Sequence, residues 1–245
     1  MASTRLPGKP LRLLGGEPLI AHVVRCALEA GAQAVVVATD DARVAGALQG
    51  GGNVTVCMTR ADHASGSDRL AECARQLHWA DDAIVVNLQG DEPFAPASGI
   101  REVARALAED DAPMATLATP VEDIAQLFDP NCVKVVTDTR GRALYFSRAP
   151  LPWARDAFAR DRAILPHGAP FLRHIGIYAY RAGFLGMFAQ LPPTPLERAE
   201  SLEQLRALEH GHAIAVRIAP EAFPPGVDTE ADLAAAQRHL DRSEA

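Results

Sequence analysis

Apolar positions along the chain recur with two different periods. Over residues 18–30 the pairs Leu19/Val23 and Val24/Leu28 lie four residues apart, which lines one face of a helix. Pro18 suits the first turn of that helix and Gly31 is placed to end it. Residues 34–38 (Ala-Val-Val-Val-Ala) form an unbroken apolar run, the mark of a strand covered on both faces. Runs at 54–58, 84–88, 114–119 and 133–137 predict similar strands, and helical spacing at 41–48, 67–77 and 100–108 falls between them. Strands alternating with helices predict an α/β fold, a Rossmann-like, mostly parallel, doubly wound sheet.

Beyond residue 138 the rhythm changes. Asp138-Thr-Arg-Gly141 reads as a turn into an apolar stretch at 143–146, a hairpin rather than a crossover. Residues 149–170 carry Pro150, Pro152, Pro166 and Pro170 with little periodicity, which predicts a long excursion. A strand at 175–180, a helix at 196–209 stopped by Gly211, a strand at 213–218 and a helix from Thr229 onward close the chain. The whole reads as a single domain of 245 residues with a small hairpin-rich lobe at about 143–177.

Composition narrows the class. Hydrophobic residues at 48% and charged residues at 22% are ordinary for a soluble globular enzyme. The net charge of −7 argues against a nucleic-acid partner, which favours a basic face. No apolar run approaches the ~20 residues of a membrane span, and residues 1–10 have no signal-peptide core. Cys26, Cys57, Cys73 and Cys132 have neither C-x-x-C nor metal-ligand spacing, so free thiols in the cytoplasm are expected.

Three segments carry candidate chemistry. The opening loop combines the hydroxyls of Ser3 and Thr4, the cations Arg5 and Lys9, and Gly8, where a backbone can approach an anion closely. It is not a P-loop, since Lys9 is followed by Pro10. In Asn87-Leu-Gln-Gly-Asp-Glu-Pro93, Asp91 and Glu92 sit just past a strand, at the sheet edge where open α/β folds bind ligands. In Pro224-Pro-Gly-Val-Asp-Thr-Glu230, Asp228 is either the N-cap of the last helix or a functional carboxylate, with Thr229 as the rival cap. Two carboxylates from separate loops would hold Mg²⁺ beside a triphosphate, and their oxygens would then lie within roughly 8 Å of each other.

Taken together, Ser-Thr-Arg-Leu-Pro-Gly-Lys-Pro10, the Thr59 to Gly66 segment, Gln-Gly-Asp-Glu-Pro93 and Gly-Val-Asp-Thr229 resemble the sugar-nucleotide cytidylyltransferases. Tyr145-Phe-Ser-Arg148, Phe171-Leu-Arg-His-Ile-Gly-Ile-Tyr178 and Leu202-Glu-Gln-Leu-Arg206 are similar to the branch that acts on 3-deoxy-manno-octulosonate (Kdo). The match runs in order across nearly the whole chain.

The resemblance implies transfer of CMP from CTP to Kdo, with Mg²⁺ as cofactor and pyrophosphate as leaving group. It implies that Ser3, Arg5, Gly8 and Lys9 hold the nucleotide phosphates, that Asp91 and Asp228 bind the metal, and that Arg69 lies near the cytidine. Gln89, Arg148, His174, Tyr178, Glu203 and Gln204 match positions that surround the sugar, and an Arg fork suits its carboxylate. The resemblance also implies a homodimer joined through the lobe, where Trp153 and Phe158 exceed what a solvated loop needs. The alternatives are a transferase for another acidic sugar, or a non-catalytic nucleotide-binding homologue. One departure concerns the start: the family carries an apolar strand ending in Pro-Ala-Arg before the loop, and here Met1 stands where that segment ends. The expectation is a fold short of its first strand, at about 1.5–3 kcal/mol for each buried apolar side chain missing.

Overall fold

A computed structural model describes residues 6–48, 54–63 and 65–243. A 3₁₀ turn (Lys9–Leu11) leads into β1 (Leu13–Leu14), β2 (Glu17–Pro18), α1 (Leu19–Glu29), β3 (Val35–Thr39), α2 (Ala42–Ala47), β4 (Val54–Met58) and α3 (Gly66–Gln76). Then come β5 (Ile84–Asn87), α4 (Ala97–Ala108), β6 (Met114–Pro120), α5 (Ile124–Phe128), β7 (Lys134–Thr137), β8 (Ala143–Ser147) and α6 (Arg155–Phe158). The chain closes with β9 (Leu172–Arg181), α7 (Ala182–Phe188), α8 (Pro195–Glu200), α9 (Gln204–Glu209), β10 (Ile214–Ile218) and α10 (Glu230–Ser243). Two compact units result, one of residues 1–79, 87–101 and 221–245, the other of 80–86 and 102–220. No helix of the described residues is long and apolar enough to cross a membrane.

In the first unit β3 and β4 pair in parallel, from Val35 opposite Val54 to Thr39 opposite Met58. Of the apolar positions read on α1, Val23 and Val24 are buried and, with Ile20, pack against Val35 and Val37 of β3 and Val44 of α2; Leu19 is buried in another cluster, and Leu28, near the helix end, is 41% exposed. β1 and β2 form a two-residue hairpin through Gly15 and Gly16, whose φ values of 58° and 84° favour glycine. Strands of two residues are too short to show a period, so the sequence pattern did not announce them. A second cluster joins Leu6, Leu14 and Leu19 to Val227 and Ala236, which ties the opening loop to the segment before α10 and to α10 itself.

The second unit is built on a sheet of order β10-β6-β9-β7-β8, with β5 also pairing β9. The α/β class stands. Parallel pairing occurs between β10 and β6, while β9 adds antiparallel pairing with β6 and β7 that the sequence reading did not include. Met114 through Ala118 are all fully buried, as expected of a strand covered on both faces. The hairpin at Asp138 is present: its N–H donates to Arg142 O at 2.8 Å, and its carboxylate accepts from the N–H groups of Arg140 and Arg142.

Two expectations change. The single helix at 196–209 is two helices, because Ser201 adopts φ 52°, ψ 50° and the Arg148 side chain takes the carbonyls of Glu200 and Ser201 out of the helical ladder. Nothing in the apolar spacing marks that break. The excursion is also less irregular than its prolines suggest. Phe158 of α6 and Phe171 are buried with Val121 and Leu127, and Trp153 leans on Phe158 with ring centroids 4.7 Å apart while staying 47% exposed.

Candidate active site

The opening loop is held by its own chemistry. Gly8 takes a left-handed conformation, φ 66°, and its carbonyl accepts from Leu11 N at 2.9 Å, closing the 3₁₀ turn that starts with Lys9. Leu6, fully buried, shares a core cluster with Val227. Val227 in turn donates its N–H to the carbonyl of Asp91 at 2.8 Å. Gly226 permits that approach, since a Cβ there would lie 3.3 Å from the same carbonyl oxygen. The loop after β5 and the loop before α10 are thereby held side by side.

Their carboxylates meet on one cation. Lys9 Nζ donates to Asp91 Oδ2 and to Asp228 Oδ1, each at 2.7 Å. The two oxygens are therefore separated by no more than twice that distance, inside the ~8 Å that a shared divalent ion requires. Asp228 is not the cap of α10. Thr229 fills that role: its hydroxyl accepts from Asp232 N at 3.2 Å and Asp232 Oδ2 accepts from Thr229 N at 2.8 Å.

Burial works to lower the pKa of Lys9, yet its hydrogen bonds to Asp228 and Asp91 outweigh that and hold it above the ordinary lysine range. One ammonium between two carboxylates leaves the cluster with a net negative charge. Hard oxygen donors of this kind suit Mg²⁺, which keeps several waters and takes one or two carboxylates together with substrate phosphates. Beside them, burial and then the Asp91 charge push Glu92 up to about 7.

Of the remaining first-unit residues singled out in the sequence, Ser3 and Arg5 lie outside the described residues. Arg69 sits on α3, whose start is fixed by a capping box between Ser65 and Asp68. Its Nη1 donates to Thr59 Oγ1 and to Arg60 O at 3.3 Å, and its Nη2 lies 3.7 Å from Asp40, so it binds the ends of β3 and β4 together. Gln89 is exposed, in the turn whose Glu92 N–H donates to Gln89 O at 3.3 Å.

The second unit gathers the others. His174 Nε2 is 2.9 Å from Thr116 Oγ1, and that hydroxyl is 2.7 Å from Ile177 O and 3.1 Å from Ile175 O. A hydroxyl with carbonyls to satisfy spends its one proton on them, so Nε2 of His174 carries the donated proton. Burial, helped by the Arg173 cation, pushes His174 down to about 3, which keeps it neutral. Its ring lies against Phe146 and Tyr178, with centroids 5.0 Å and 5.4 Å away. Burial, then Tyr180 and Glu203, raise Tyr178 well above the ordinary phenol range. Gln204 is buried and opens α9, with Glu203 immediately before it. Arg148 is already engaged with backbone: Nε donates to Glu200 O at 2.6 Å, Nη1 to Pro130 O at 2.9 Å and Nη2 to Ser201 O at 3.4 Å.

Residues 1–216 match the sequence profile of the family described as Cytidylyltransferase. The chain belongs to the cytidylyltransferase family. It is 65% identical to the 3-deoxy-manno-octulosonate cytidylyltransferase of Stenotrophomonas maltophilia (strain K279a), over 98% of this chain and 93% of that one. It is 62% identical to the protein of the same name from Xanthomonas campestris pv. campestris (strain 8004), over 98% and 96%. Among solved structures it is similar to a CMP:2-keto-3-deoxy-manno-octonic acid synthetase complexed with CTP, with TM-score 0.88 and 43% identity over 98% of this chain and 95% of that chain. A nucleotidyl transferase from Methanothermobacter thermautotroptrophicus, 19% identical with TM-score 0.60, shares the fold.

Three polar residues went unassigned in the sequence. Glu92 was visible beside Asp91 but its burial was not. Lys134 is fully buried, its ammonium donating to the carbonyls of Asp129 and Cys132, and burial lowers its pKa. A lysine inside the apolar run at 133–137 was the available signal. Glu200, the partner of Arg148, stands in Glu-Arg-Ala-Glu200 and carries no motif at all.

Glu92 yields a pH test on the metal-free protein. Its folded pKa of about 7 lies above the ordinary 4.5, so between those values the folded state keeps a proton that the unfolded chain has lost. Stability attributable to this group therefore falls as pH rises through that window, by an amount on the order of 3 kcal/mol. Glu92→Gln removes the titration: its urea midpoint should match the parent near pH 4.5 and exceed it at pH 8. Parallel pH profiles for the two proteins would refute the burial argument.

Proposed function

We propose that this protein transfers CMP from CTP to Kdo, giving CMP-Kdo and pyrophosphate. The observation that carries the reading is the convergence of Asp91 and Asp228 on Lys9 in a cytidylyltransferase. The anomeric hydroxyl of the sugar attacks the α-phosphorus, an oxygen–phosphorus bond forms, the bond to pyrophosphate breaks, and the hydroxyl proton is lost to solvent. Such a step depends on positioning and charge neutralisation more than on covalent help from the protein.

Lys9 serves as a cation for the triphosphate, Gly8 lets the backbone come close to it, and Ser3 and Arg5, in the same sequence motif, are assigned to the phosphates. Asp91 and Asp228 would hold Mg²⁺, whose chemistry is to neutralise charge on the phosphate oxygens. Arg69, whose guanidinium is fixed against Thr59, is assigned to the cytidine. Arg148 supplies charge for the sugar carboxylate through guanidinium N–H groups beyond the three contacts it makes to carbonyls. Neutral His174 offers Nδ1 as an acceptor for a sugar hydroxyl, and Gln89, Tyr178, Glu203 and Gln204 are further hydrogen-bonding groups for the sugar. The product belongs to lipopolysaccharide assembly in the cytoplasm. The identity to the Stenotrophomonas and Xanthomonas proteins supports Kdo over other acidic sugars.

Pyrophosphate release with CTP, Mg²⁺ and a panel of acidic sugars tests the reading: Kdo should be used in preference to neuraminate. Release with neuraminate alone would assign a different acceptor, and no release with any sugar would favour a non-catalytic homologue. Asp91→Asn should lower kcat about a hundredfold or more with a change in Tm of only a few degrees. Losses of equal size in turnover and stability would make Asp91 structural.

The protein also acts as a homodimer joined through the lobe at about 143–177. Half-exposed Trp153 next to buried Phe158 supports this, because an exposed aromatic patch suits an isologous contact. Light scattering at micromolar concentration should give about twice the 26.1 kDa chain mass, and Trp153→Asp should return it to the monomer value. A monomer in the parent protein would reject the dimer, and a dimer indifferent to Trp153→Asp would move the interface elsewhere.

A further inference from the structure

Glu200, the last residue of α8, has no part in the CMP-transfer step, yet it gathers the end of β8 onto the break between α8 and α9. Its Oε1 accepts from Ser147 Oγ at 2.6 Å and from the Tyr145 hydroxyl at 3.5 Å, and its Oε2 accepts from the Arg148 N–H at 2.9 Å. The Arg148 side chain answers by donating to Glu200 O and Ser201 O. Carboxylate and guanidinium thus close a two-way clasp, strand end to helix end. Ser147 is 2% exposed, so the clasp is shielded from water on its strand side.

The clasp sets the path of the chain into α9. Ser201 is non-glycine in the left-handed region, φ 52°, a conformation that costs roughly 1 kcal/mol or more and persists only where its surroundings hold it. Two residues later come Glu203 and Gln204, at the start of α9. Their direction depends on how the chain leaves the break. Burial works to raise the pKa of Glu200, but Ser147, the Arg148 N–H and Tyr145 outweigh it and hold the carboxyl below the ordinary range.

We infer that Glu200 is a positioning residue for acceptor recognition, holding Arg148 and the start of α9 in the arrangement that binds the acidic sugar. The inference rests on the Kdo reading and deepens it. Both carboxylate oxygens of Glu200 are taken up by Tyr145, Ser147 and the Arg148 N–H, so its role runs through Arg148, Glu203 and Gln204. The neighbouring lysine supports the same picture: Lys134, opposite Ser147 in the β7–β8 pair, feels the Glu200 charge and is anchored to loop carbonyls rather than to the carboxylate.

The test is a KM split, measured for CTP and Kdo separately. Glu200→Ala should raise the KM for Kdo about tenfold or more while the KM for CTP stays within about twofold. Glu200→Gln keeps an acceptor of the same shape and should recover most of the loss. Should Glu200→Ala fail to fold, Ser147→Ala removes one donor to Oε1 and should raise the Kdo KM about threefold with CTP unaffected. A Kdo KM unchanged in these variants, or both KM values rising together, overturns the positioning role. A parent protein that turns over no acidic sugar overturns the functional reading along with it, a result distinct from either.

Discussion

One backbone hydrogen bond organises the first unit: the Val227 N–H on the carbonyl of Asp91, at 2.8 Å. It sets two loops, more than a hundred residues apart in sequence, at a fixed separation. Leu6 and Val227 in a common core bring the opening loop to the same place. With those two constraints satisfied, Lys9 reaches Asp91 and Asp228 together, each at 2.7 Å. Two carboxylates then share a single ammonium, and the arrangement is stable because each carboxylate has a partner and the ammonium has two. The capping box of α10 belongs to the same design. Because Thr229 and Asp232 satisfy the helix end, the Asp228 side chain is directed to Lys9 instead.

The second unit handles its polar groups differently. Three of its cations are directed at backbone carbonyls, Lys134 at Asp129 and Cys132, Arg148 at Pro130, Glu200 and Ser201, and Arg181 at Leu107 and Asp110, while Arg142 and Arg206 pair with the carboxylates of Asp110 and Glu197. Loop carbonyls with no ladder partner need donors, and a cation withdrawn from water needs acceptors, so each satisfies the other. The consequence is rigidity around irregular backbone, including the Ser201 break and the shift of register opposite Thr116. There the Thr116 hydroxyl, against the carbonyls of Ile175 and Ile177, fixes both the bulge and the tautomer of His174.

Elements long enough to show a period were legible. The apolar stripe of α1, the run that became β4, the turn at Asp138 and the helix stop at Gly211 all obey local rules of spacing and backbone conformation. The motifs that named the family were legible too, because a chain 65% identical to a named relative keeps them in order. What escaped were features made by contacts distant in sequence: the antiparallel place of β9, the two-helix form of residues 195–209, and the clasp of Arg148 with Glu200.

The sequence by itself determined the α/β class, the family, and which residue types were available for phosphate, metal and sugar. It left Asp228 poised between helix cap and functional carboxylate, and the partners of Arg148 within the fold unnamed. Only the tertiary structure showed that Thr229 caps α10 while Asp228 meets Lys9, and that Arg148 lies on the carbonyls of Pro130, Glu200 and Ser201, for a common physical reason. A side chain that can satisfy either of two partners goes to the one the backbone brings within about 3 Å, and that distance is set by packing far along the chain.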